Sequence, residues 1–183
     1  AGAGGVGLYA AQIANNVSGA FVSATVSKPK HAILASLLKG QFNLIDYKNQ
    51  DFTQSLSDYD AVFDMTAEVL KEIPIVKRGG KLVTIKNPPT PDAVKDFGLP
   101  EPTLQWLAAA NAHFVAAAAG RGVSYVSYAM HRSDAELDKI AKWAQDKTIV
   151  SVIDKTFALD DSAKALAYLL QGSATGKVVV QIV

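Results

Sequence analysis

The sequence predicts an α/β protein with a doubly wound parallel sheet, and two observations carry this prediction. The first is a G-x-G-x-x-G pattern across residues 2–7 that leads directly into a helical segment. The second is the alternation of apolar, β-branched segments with helical segments along the rest of the 183 residues. This alternation is typical of parallel strands whose connecting helices cover both faces of a sheet. We therefore expect a dinucleotide-binding domain of the Rossmann type.

Each glycine of the opening loop meets a separate structural requirement. Gly2 permits a tight turn, Gly4 lets the backbone approach a pyrophosphate, and Gly7 lets the following helix pack closely on a sheet. Together with Gly5 and Val6 they are the candidate pyrophosphate site, because the free N–H groups of a helix N-terminus favour an anion. The motif normally follows a buried strand, and a single residue precedes it here. We expect a chain that lacks the first strand of its sheet.

Glycine, proline and capping residues delimit the predicted helices. Gly19 and Gly40 each end a helical segment, and Gly120 does the same later in the chain. Pro102 is a favourable first helical residue, whereas Pro74 disturbs or shortens the helix in which it lies. The sequence Ser-Asp-Ala-Glu from residue 133 is a capping box that opens another helix. The predicted helices cover about residues 6–16, 31–38, 68–76, 102–119, 133–144 and 160–170.

Short runs of apolar, β-branched and aromatic residues between these helices predict the strands. The run from Val123 to Tyr128 alternates in polarity, as a half-buried strand does. The predicted strands cover about residues 20–26, 42–47, 59–64, 81–85, 123–128, 149–153 and 177–183.

Composition limits the classes of partner. The chain has 18 basic and 17 acidic residues with no dense basic run, so we expect neither nucleic acid nor membrane, and a small-molecule substrate fits better. It has no cysteine, which excludes disulfides and thiolate metal sites within these residues. His31, His113 and His131 are scattered without metal-spaced partners, so no metal ligand is predicted among these residues. No signal peptide or membrane span is predicted, and we expect a cytoplasmic protein.

The end of the strand at residues 20–26 predicts which dinucleotide binds. An acidic side chain there accepts hydrogen bonds from the ribose 2′-OH of NAD(H), whereas positive groups accommodate the 2′-phosphate of NADP(H). No carboxylate lies between the glycine loop and Asp46, while Ser27, Lys28 and Lys30 lie where the 2′ substituent would sit. This favours NADP(H) over NAD(H), although the two lysines could instead be solvated in a surface turn. Tyr47 either closes over the adenosine or is a plain aromatic residue at a strand end.

Other motifs carry weaker predictions. Met65 and Thr66 follow the strand at 59–64, at the sheet edge where such folds bind ligands, although methionine is more often plain packing. The segment Gly172–Lys177 resembles a phosphate-binding P-loop, but its spacing is short and Val178 replaces the required Ser or Thr. We interpret it as a turn before a strand.

Several stretches, in their order and spacing, resemble the cofactor-binding half of a medium-chain dehydrogenase/reductase of the quinone-oxidoreductase-like branch. The sequence departs from that pattern at Asp64–Ala67, where relatives usually have Asp-x-Val-Gly, and at Ile85–Pro88, where a glycine usually ends the strand. The matching stretches are the glycine loop with residues 11–14, and residues 44–48, 59–64, 78–83, 153–159 and 174–179.

The resemblance implies a domain organisation. Residues 1–130 would be the NADP(H)-binding domain, with a boundary near Met130, and residues 131–183 would return to complete a GroES-like catalytic domain. The first strand and most of the catalytic domain would precede Ala1 in the intact enzyme. Any zinc ligands would lie there as well, so zinc dependence is left open by these residues.

The resemblance also implies an activity. The intact enzyme would transfer hydride between NADP(H) and a carbonyl, a quinone or an activated alkene, as a homodimer by family analogy. The present residues would form an inactive fragment, and no residue in them is identified as a proton donor. The alternative is a nonenzymatic NADPH-binding sensor or interaction module.

Overall fold

A computed structural model of the chain describes residues 2–182. The chain forms two compact units. The first contains the residues up to Gln50 together with those from Ser133 onward, and the second is Asp51–Arg132. The predicted boundary near Met130 concerns the intact enzyme and stays a prediction.

The described residues contain helices and strands in alternation. The helices are α1 (Gly7–Gln12), α2 (His31–Leu37), α3 (Val69–Glu72), α4 (Glu101–Gly120), α5 (Asp134–Gln145) and α6 (Ser162–Leu170). The strands are β1 (Val22–Thr25), β2 (Phe42–Ile45), β3 (Tyr59–Asp64), β4 (Val76–Thr84), β5 (Ser124–Ser127), β6 (Ile153–Ala158) and β7 (Lys177–Gln181). A π-helical turn, Ile13–Val17, continues α1.

Every strand pair among residues 2–182 is parallel. In the first unit β1 pairs with β2, with Val22 opposite Phe42, and β6 pairs with β7. In the second unit the order is β3-β4-β5. The predicted α/β class with parallel sheets is confirmed.

The first unit has an apolar core between α1, α2 and β1. Leu8 on α1 and Leu34 on α2 are among its most buried side chains. Buried amides complete this packing: the Gln12 side chain donates to the Val150 carbonyl at 3.1 Å and accepts the Val150 amide at 2.7 Å. Asn15 likewise accepts from the Gly40 amide at 2.7 Å. These buried side chains thereby fix the backbone of Val150 and Gly40 beside α1 and its π-helical continuation.

The second unit packs α3 and α4 against β4. Val69, Leu82 and Ala118 each expose at most 1% of their surface in this core. The predicted helix at 68–76 is shorter than expected, since Pro74 converts Ile73–Ile75 into a 3₁₀ turn.

Strand β4 begins earlier than the sequence predicts. Gly79 has φ +82°, and a Cβ on Gly80 would lie 2.8 Å from the Asp60 carbonyl oxygen. The register between β3 and β4 shifts at this point, so the two glycines form an irregularity inside the strand. The sequence pattern predicted the strand only from Lys81 onward.

The strand predicted at 149–153 is displaced toward the C-terminus. Residues 149–152 form a connector in which the Ile149 amide donates to the Trp143 carbonyl and Val150 binds Gln12. Strand β6 starts only at Ile153, opposite Lys177 on β7. Among residues 2–182 no helix is both long and apolar enough to cross a bilayer.

Candidate dinucleotide-binding site

The glycine loop leads into α1 and lies against the end of β1. The Gly2 amide donates to the Thr25 carbonyl at 3.0 Å, and a Cβ on Gly2 would lie 3.2 Å from the Cβ of Ala24. A side chain at Gly2 would therefore crowd the strand. The Leu8 amide donates to the Gly4 carbonyl at 3.0 Å, so the chain is already winding into a helix when it leaves the loop.

The accessible part of the loop is its centre. Gly4 and Gly5 are half-buried and Val6 is 48% exposed, whereas Gly2 and Gly7 are buried. The first turn of α1 contains no acidic residue. Its N–H groups and dipole therefore meet no competing carboxylate from their own helix.

The two predicted lysines are placed differently. Both lie in the 3₁₀ turn Lys28–Lys30 that follows β1, after the buried Ser27. Lys28 is exposed, whereas Lys30 is half-buried. The Lys30 Nζ donates to the carbonyl oxygens of Ser173 at 2.6 Å and Ala174 at 3.1 Å. Lys30 thus has a defined position and partners that the sequence pattern could not indicate.

A cavity of about 190 Å³ brings several predicted residues together. Its walls come from the glycine loop, the end of β1, the Lys28–Lys30 turn, Tyr47 and the segment after α6. The predicted residues in its lining are Gly2, Gly4, Ser27, Lys30 and Tyr47. Gly5 and Val6 line a separate apolar cavity of about 390 Å³, with Ile140 and Ile149 among its walls.

Asp46 is a buried carboxylate next to Tyr47 of the cavity lining. The sequence pattern did not predict a role for it. It is buried directly after β2, and its carboxylate accepts from the Asn49 side chain at 2.7 Å and from the Lys48 amide at 3.3 Å. The hydrogen bond from Asn49, helped by the backbone amides of Lys48 and Lys28, holds the pKa of Asp46 below its usual value. Asp46 therefore holds the turn at residues 46–49 that follows β2 and includes Tyr47. In the sequence, the signal that could have found Asp46 is a carboxylate directly after a predicted strand.

Met65 and Thr66 lie in the second unit, directly after β3. Asp64, 1% exposed, accepts from the Thr66 amide at 2.7 Å and from the Thr66 hydroxyl at 3.0 Å. Its other oxygen accepts from the Thr84 hydroxyl at 2.6 Å. The Thr66 hydroxyl is thus engaged in a local turn, and Met65 is half-buried. Their predicted role as walls of a nicotinamide pocket stays a prediction.

A buried amide holds the loop that follows β4. Asn111, 1% exposed on α4, donates to the Pro88 carbonyl at 3.1 Å and to the Leu107 carbonyl at 2.9 Å. Its oxygen accepts from the Tyr125 hydroxyl at 3.0 Å, and that hydroxyl accepts from Asn87 at 3.1 Å. Burial raises the pKa of Tyr125, which keeps it a neutral donor.

Glu72 is a buried acid on α3. It is 8% exposed, and its Oε2 lacks a hydrogen-bond partner among the described residues. Burial, reinforced by the nearby carboxylates of Asp64 and Glu68, raises the pKa of Glu72 to about 8. This side chain is therefore largely protonated at neutral pH.

The structure also bears on the P-loop-like segment and on metal ligands. In the P-loop-like segment the strand β7 starts at Lys177, where a phosphate-binding loop would lead into a helix. Within residues 2–182 no group of three or more His, Asp or Glu side chains converges as metal ligands.

Comparison with known proteins gives a consistent set of similarities. A family model described as "Zinc-binding dehydrogenase" matches residues 40–180. The chain is 30% identical over 182 residues to the 2-methylene-furan-3-one reductase of Solanum lycopersicum, covering 98% of this chain and 38% of that protein. It is 29% identical to the chloroplastic NADPH-dependent alkenal/one oxidoreductase of Arabidopsis thaliana, again over 98% of this chain and 38% of that protein.

A solved structure has a similar fold. The quinone oxidoreductase of Coxiella burnetii superposes with a TM-score of 0.78 at 25% identity, and the match covers 100% of this chain and 51% of that one. The chain thus spans about 38% of the length of these curated relatives and about half of the solved structure.

Proposed function

Because the chain belongs to the zinc-binding dehydrogenase family, we propose that it is the cofactor-binding part of an NADP(H)-dependent oxidoreductase. The observation that carries this proposal is the cavity that joins the glycine loop to Ser27, Lys30 and Tyr47. Three groups with suitable chemistry for a dinucleotide, namely the backbone of the glycine loop, an ammonium and an aromatic ring, thereby face one space. The relatives named as reductases of furanones, alkenals and quinones support the same reading.

Each residue has a distinct task in this proposal. Gly4, Gly5, Val6 and Gly7 would hold the pyrophosphate with backbone N–H groups at the start of α1. Ser27 and Lys30, with Lys28 near the surface, would bind the 2′-phosphate and so favour NADP(H) over NAD(H). Tyr47 would cover the adenosine. The nicotinamide supplies the hydride when the cofactor is bound, and the protein contributes binding and orientation.

The intact protein would pass this hydride to a carbonyl, a quinone or an activated alkene. The described residues do not fit a zinc site, so no step is assigned to zinc. Met65 and Thr66 would border the nicotinamide side. A cytoplasmic location and a homodimer complete the proposal, and β5 supports the dimer because it is an edge strand of its sheet, open to pairing with a second copy.

Calorimetric titration of this chain with NADPH and with NADH tests the binding step. We expect NADPH to bind at least about tenfold more tightly, as one charge-assisted hydrogen bond to a phosphate provides. Equal affinities would contradict the 2′-phosphate assignment, and no binding of either would overturn the proposal.

A second assay tests the activity of the intact protein. The full-length parent, mixed with NADPH and a panel of 2-alkenals, quinones and aldehydes, should oxidise NADPH, whereas the present chain should not. Binding without oxidation by the parent across the whole panel would support the nonenzymatic sensor instead.

A further inference from the structure

We infer that Tyr128, supported by His131, is the proton donor of the proposed reduction. The inference rests on the function proposed above, to which it adds a catalytic residue that the sequence pattern did not identify. Hydride addition to a carbonyl, a quinone or an alkene conjugated with a carbonyl leaves negative charge on a carbonyl oxygen. A positioned acid that protonates this oxygen accelerates such a step about 10²- to 10⁴-fold.

Tyr128 lies at the edge of the sheet where open parallel sheets bind their ligands. In the second unit Asp64, Thr84 and Ser127 are cross-strand partners at the carboxyl ends of β3, β4 and β5. Tyr128 follows Ser127 directly, and its amide donates to the Thr84 carbonyl at 2.8 Å, so its backbone continues the ladder. Ligands of open α/β sheets bind outside the carboxyl ends of the strands. Tyr128 is therefore fixed on the same edge as Met65, which would border the nicotinamide.

Other hydroxyl groups at this edge donate to acceptors within the fold. The Thr84 and Thr66 hydroxyls donate to the Asp64 carboxylate at 2.6 and 3.0 Å. The Ser127 hydroxyl is buried and donates to the Asn87 carbonyl at 2.8 Å. Since each of these three protons is held by a protein acceptor, none of them is directed at a substrate.

The Tyr128 side chain differs in its exposure and in its partner. It is 41% exposed, and its hydroxyl oxygen lies 3.1 Å from Nδ1 of His131. The two rings meet edge-on with their centroids 5.9 Å apart. His131 is itself exposed, so its ring can exchange protons with water. An accessible phenol beside such an imidazole can give up a proton and regain one from solvent.

The proposed step moves one proton along this pair. The cofactor, when bound, supplies the hydride, which adds to the carbonyl carbon or to the conjugated alkene carbon and leaves an electron pair on the substrate oxygen. The Tyr128 O–H bond breaks as its proton forms an O–H bond with that oxygen. Nδ1 of His131 returns a proton to the Tyr128 oxygen, and Nε2 takes one from water. The substrate thus gains one hydride and one solvent proton, and the tyrosine is neutral again.

Nitrogen NMR of the histidine rings in the present chain tests the pair without turnover. Tyr128→Phe removes the hydroxyl and keeps the ring, so the Nδ1 resonance of His131 should shift. The His31 ring, which bonds the Val26 carbonyl in the first unit, is the internal control and should keep its resonances. Calorimetry should give the variant the same NADPH affinity as the unmodified chain, which also shows that the variant is folded. An unchanged His131 resonance would overturn the pair, and weaker NADPH binding would make Tyr128 a cofactor-binding residue instead.

Turnover by the full-length parent tests the proton transfer itself. Tyr128→Phe should lower kcat about 10²- to 10⁴-fold. Tyr168→Phe is the matched control, because its hydroxyl also has an ionisable partner, Asp154 at 2.7 Å, and its kcat should equal that of the unmodified parent. His131→Ala should lose part of kcat, and added imidazole should restore it. A purely structural role of His131 would not be rescued in this way.

The outcomes separate this inference from the function on which it rests. Unchanged kcat in Tyr128→Phe would overturn the proton donor and leave the proposed function intact. Failure of imidazole to rescue His131→Ala would overturn the relay through His131. If the unmodified parent oxidises NADPH with no acceptor of the panel, the proposed function and this inference fail together.

Discussion

The Ala67 amide donates to both oxygens of the buried Asp64 carboxylate, at 3.0 and 3.2 Å, while the Ala67 backbone has φ +65°. The carboxylate thus fixes a turn in the left-handed region, which disfavours any residue with a Cβ. The sequence pattern singled out this position because relatives usually have glycine there. The structure supplies the physical reason for that preference.

Ala67→Gly should stabilise the protein. Left-handed backbone costs a non-glycine residue about 1–2 kcal/mol, and the greater freedom of glycine in the unfolded chain returns about 0.5–1 kcal/mol of this. We expect a net gain of about 0.5–1 kcal/mol in the free energy of unfolding, measured by urea denaturation. Ala116→Gly, on the exposed face of α4, is the control and should lose about 1 kcal/mol. A loss of similar size at both positions would contradict the strain at Ala67.

Glu72 should make stability depend on pH. Its pKa is about 8 in the folded state, above its ordinary value of 4.5, so the folded protein holds the proton more tightly than the unfolded chain. The stabilisation is therefore complete below about pH 4.5 and is lost as the pH rises through about 8. Glu72→Gln, which cannot ionise, should be more stable than the unmodified chain at pH 9 by about 1–3 kcal/mol. Denaturation curves of the two proteins from pH 5 to 9 should diverge with rising pH, and a constant difference would rule out this titration.

Lys30 and Lys28 should contribute unequally to cofactor binding. Lys30 lines the cavity and Lys28 is exposed. Lys30→Met should weaken NADPH binding about 10- to 100-fold, as expected for loss of a charge-assisted hydrogen bond, and change NADH binding little. Lys28→Met removes the same charge nearby and should weaken NADPH binding less than about threefold, since exposed charges are screened. If the two substitutions weaken NADPH binding equally in titrations, the lysines act only through their charge and Lys30 makes no specific contact with the 2′-phosphate.

Asn111 should be a determinant of stability. Replacement by alanine leaves the carbonyls of Pro88 and Pro89 and the Tyr125 hydroxyl without their partner. Each partly buried hydrogen bond of this kind contributes about 1 kcal/mol, and we expect a total loss of about 2–4 kcal/mol in urea denaturation. Gln105→Ala, an exposed amide on the same helix, should change stability by less than about 0.5 kcal/mol. Similar small effects at both positions would show that the Asn111 network contributes little.

Local pattern was sufficient for much of the fold. The strand Tyr59–Asp64 has its predicted limits, and α2 ends at Leu37, one residue before the predicted end. Both elements depend on short-range composition and on a nearby helix or strand stop, which a sequence displays directly. The parallel class likewise follows from the alternation of elements.

Long-range contacts account for what the pattern did not indicate. Gln12, more than 130 residues earlier, binds the backbone of Val150 in the connector at 149–152. Because these residues are held in the connector, strand β6 starts only at Ile153, later than predicted. The partners of Lys30 lie 143 and 144 residues away, so the chemistry of the lysine could be predicted but its hydrogen bonds to the carbonyls of Ser173 and Ala174 could not. A glycine has several local uses, and at Gly80 the requirement comes partly from the Asp60 backbone on the neighbouring strand, which the local pattern does not show.

The parallel pairing of the strands has a consequence for how the chain acquires its structure. Val22 meets Phe42 and Lys81 meets Ser124, so each ladder forms only after a crossover segment has been brought into place. Closing such loops costs entropy before any ladder hydrogen bond offsets it, and proteins rich in such separated contacts fold in milliseconds to seconds instead of microseconds. During that interval strand backbone groups that the native ladders later pair are exposed to other copies. Refolding yield should therefore fall as protein concentration rises, because intermolecular strand pairing competes with the slow intramolecular search.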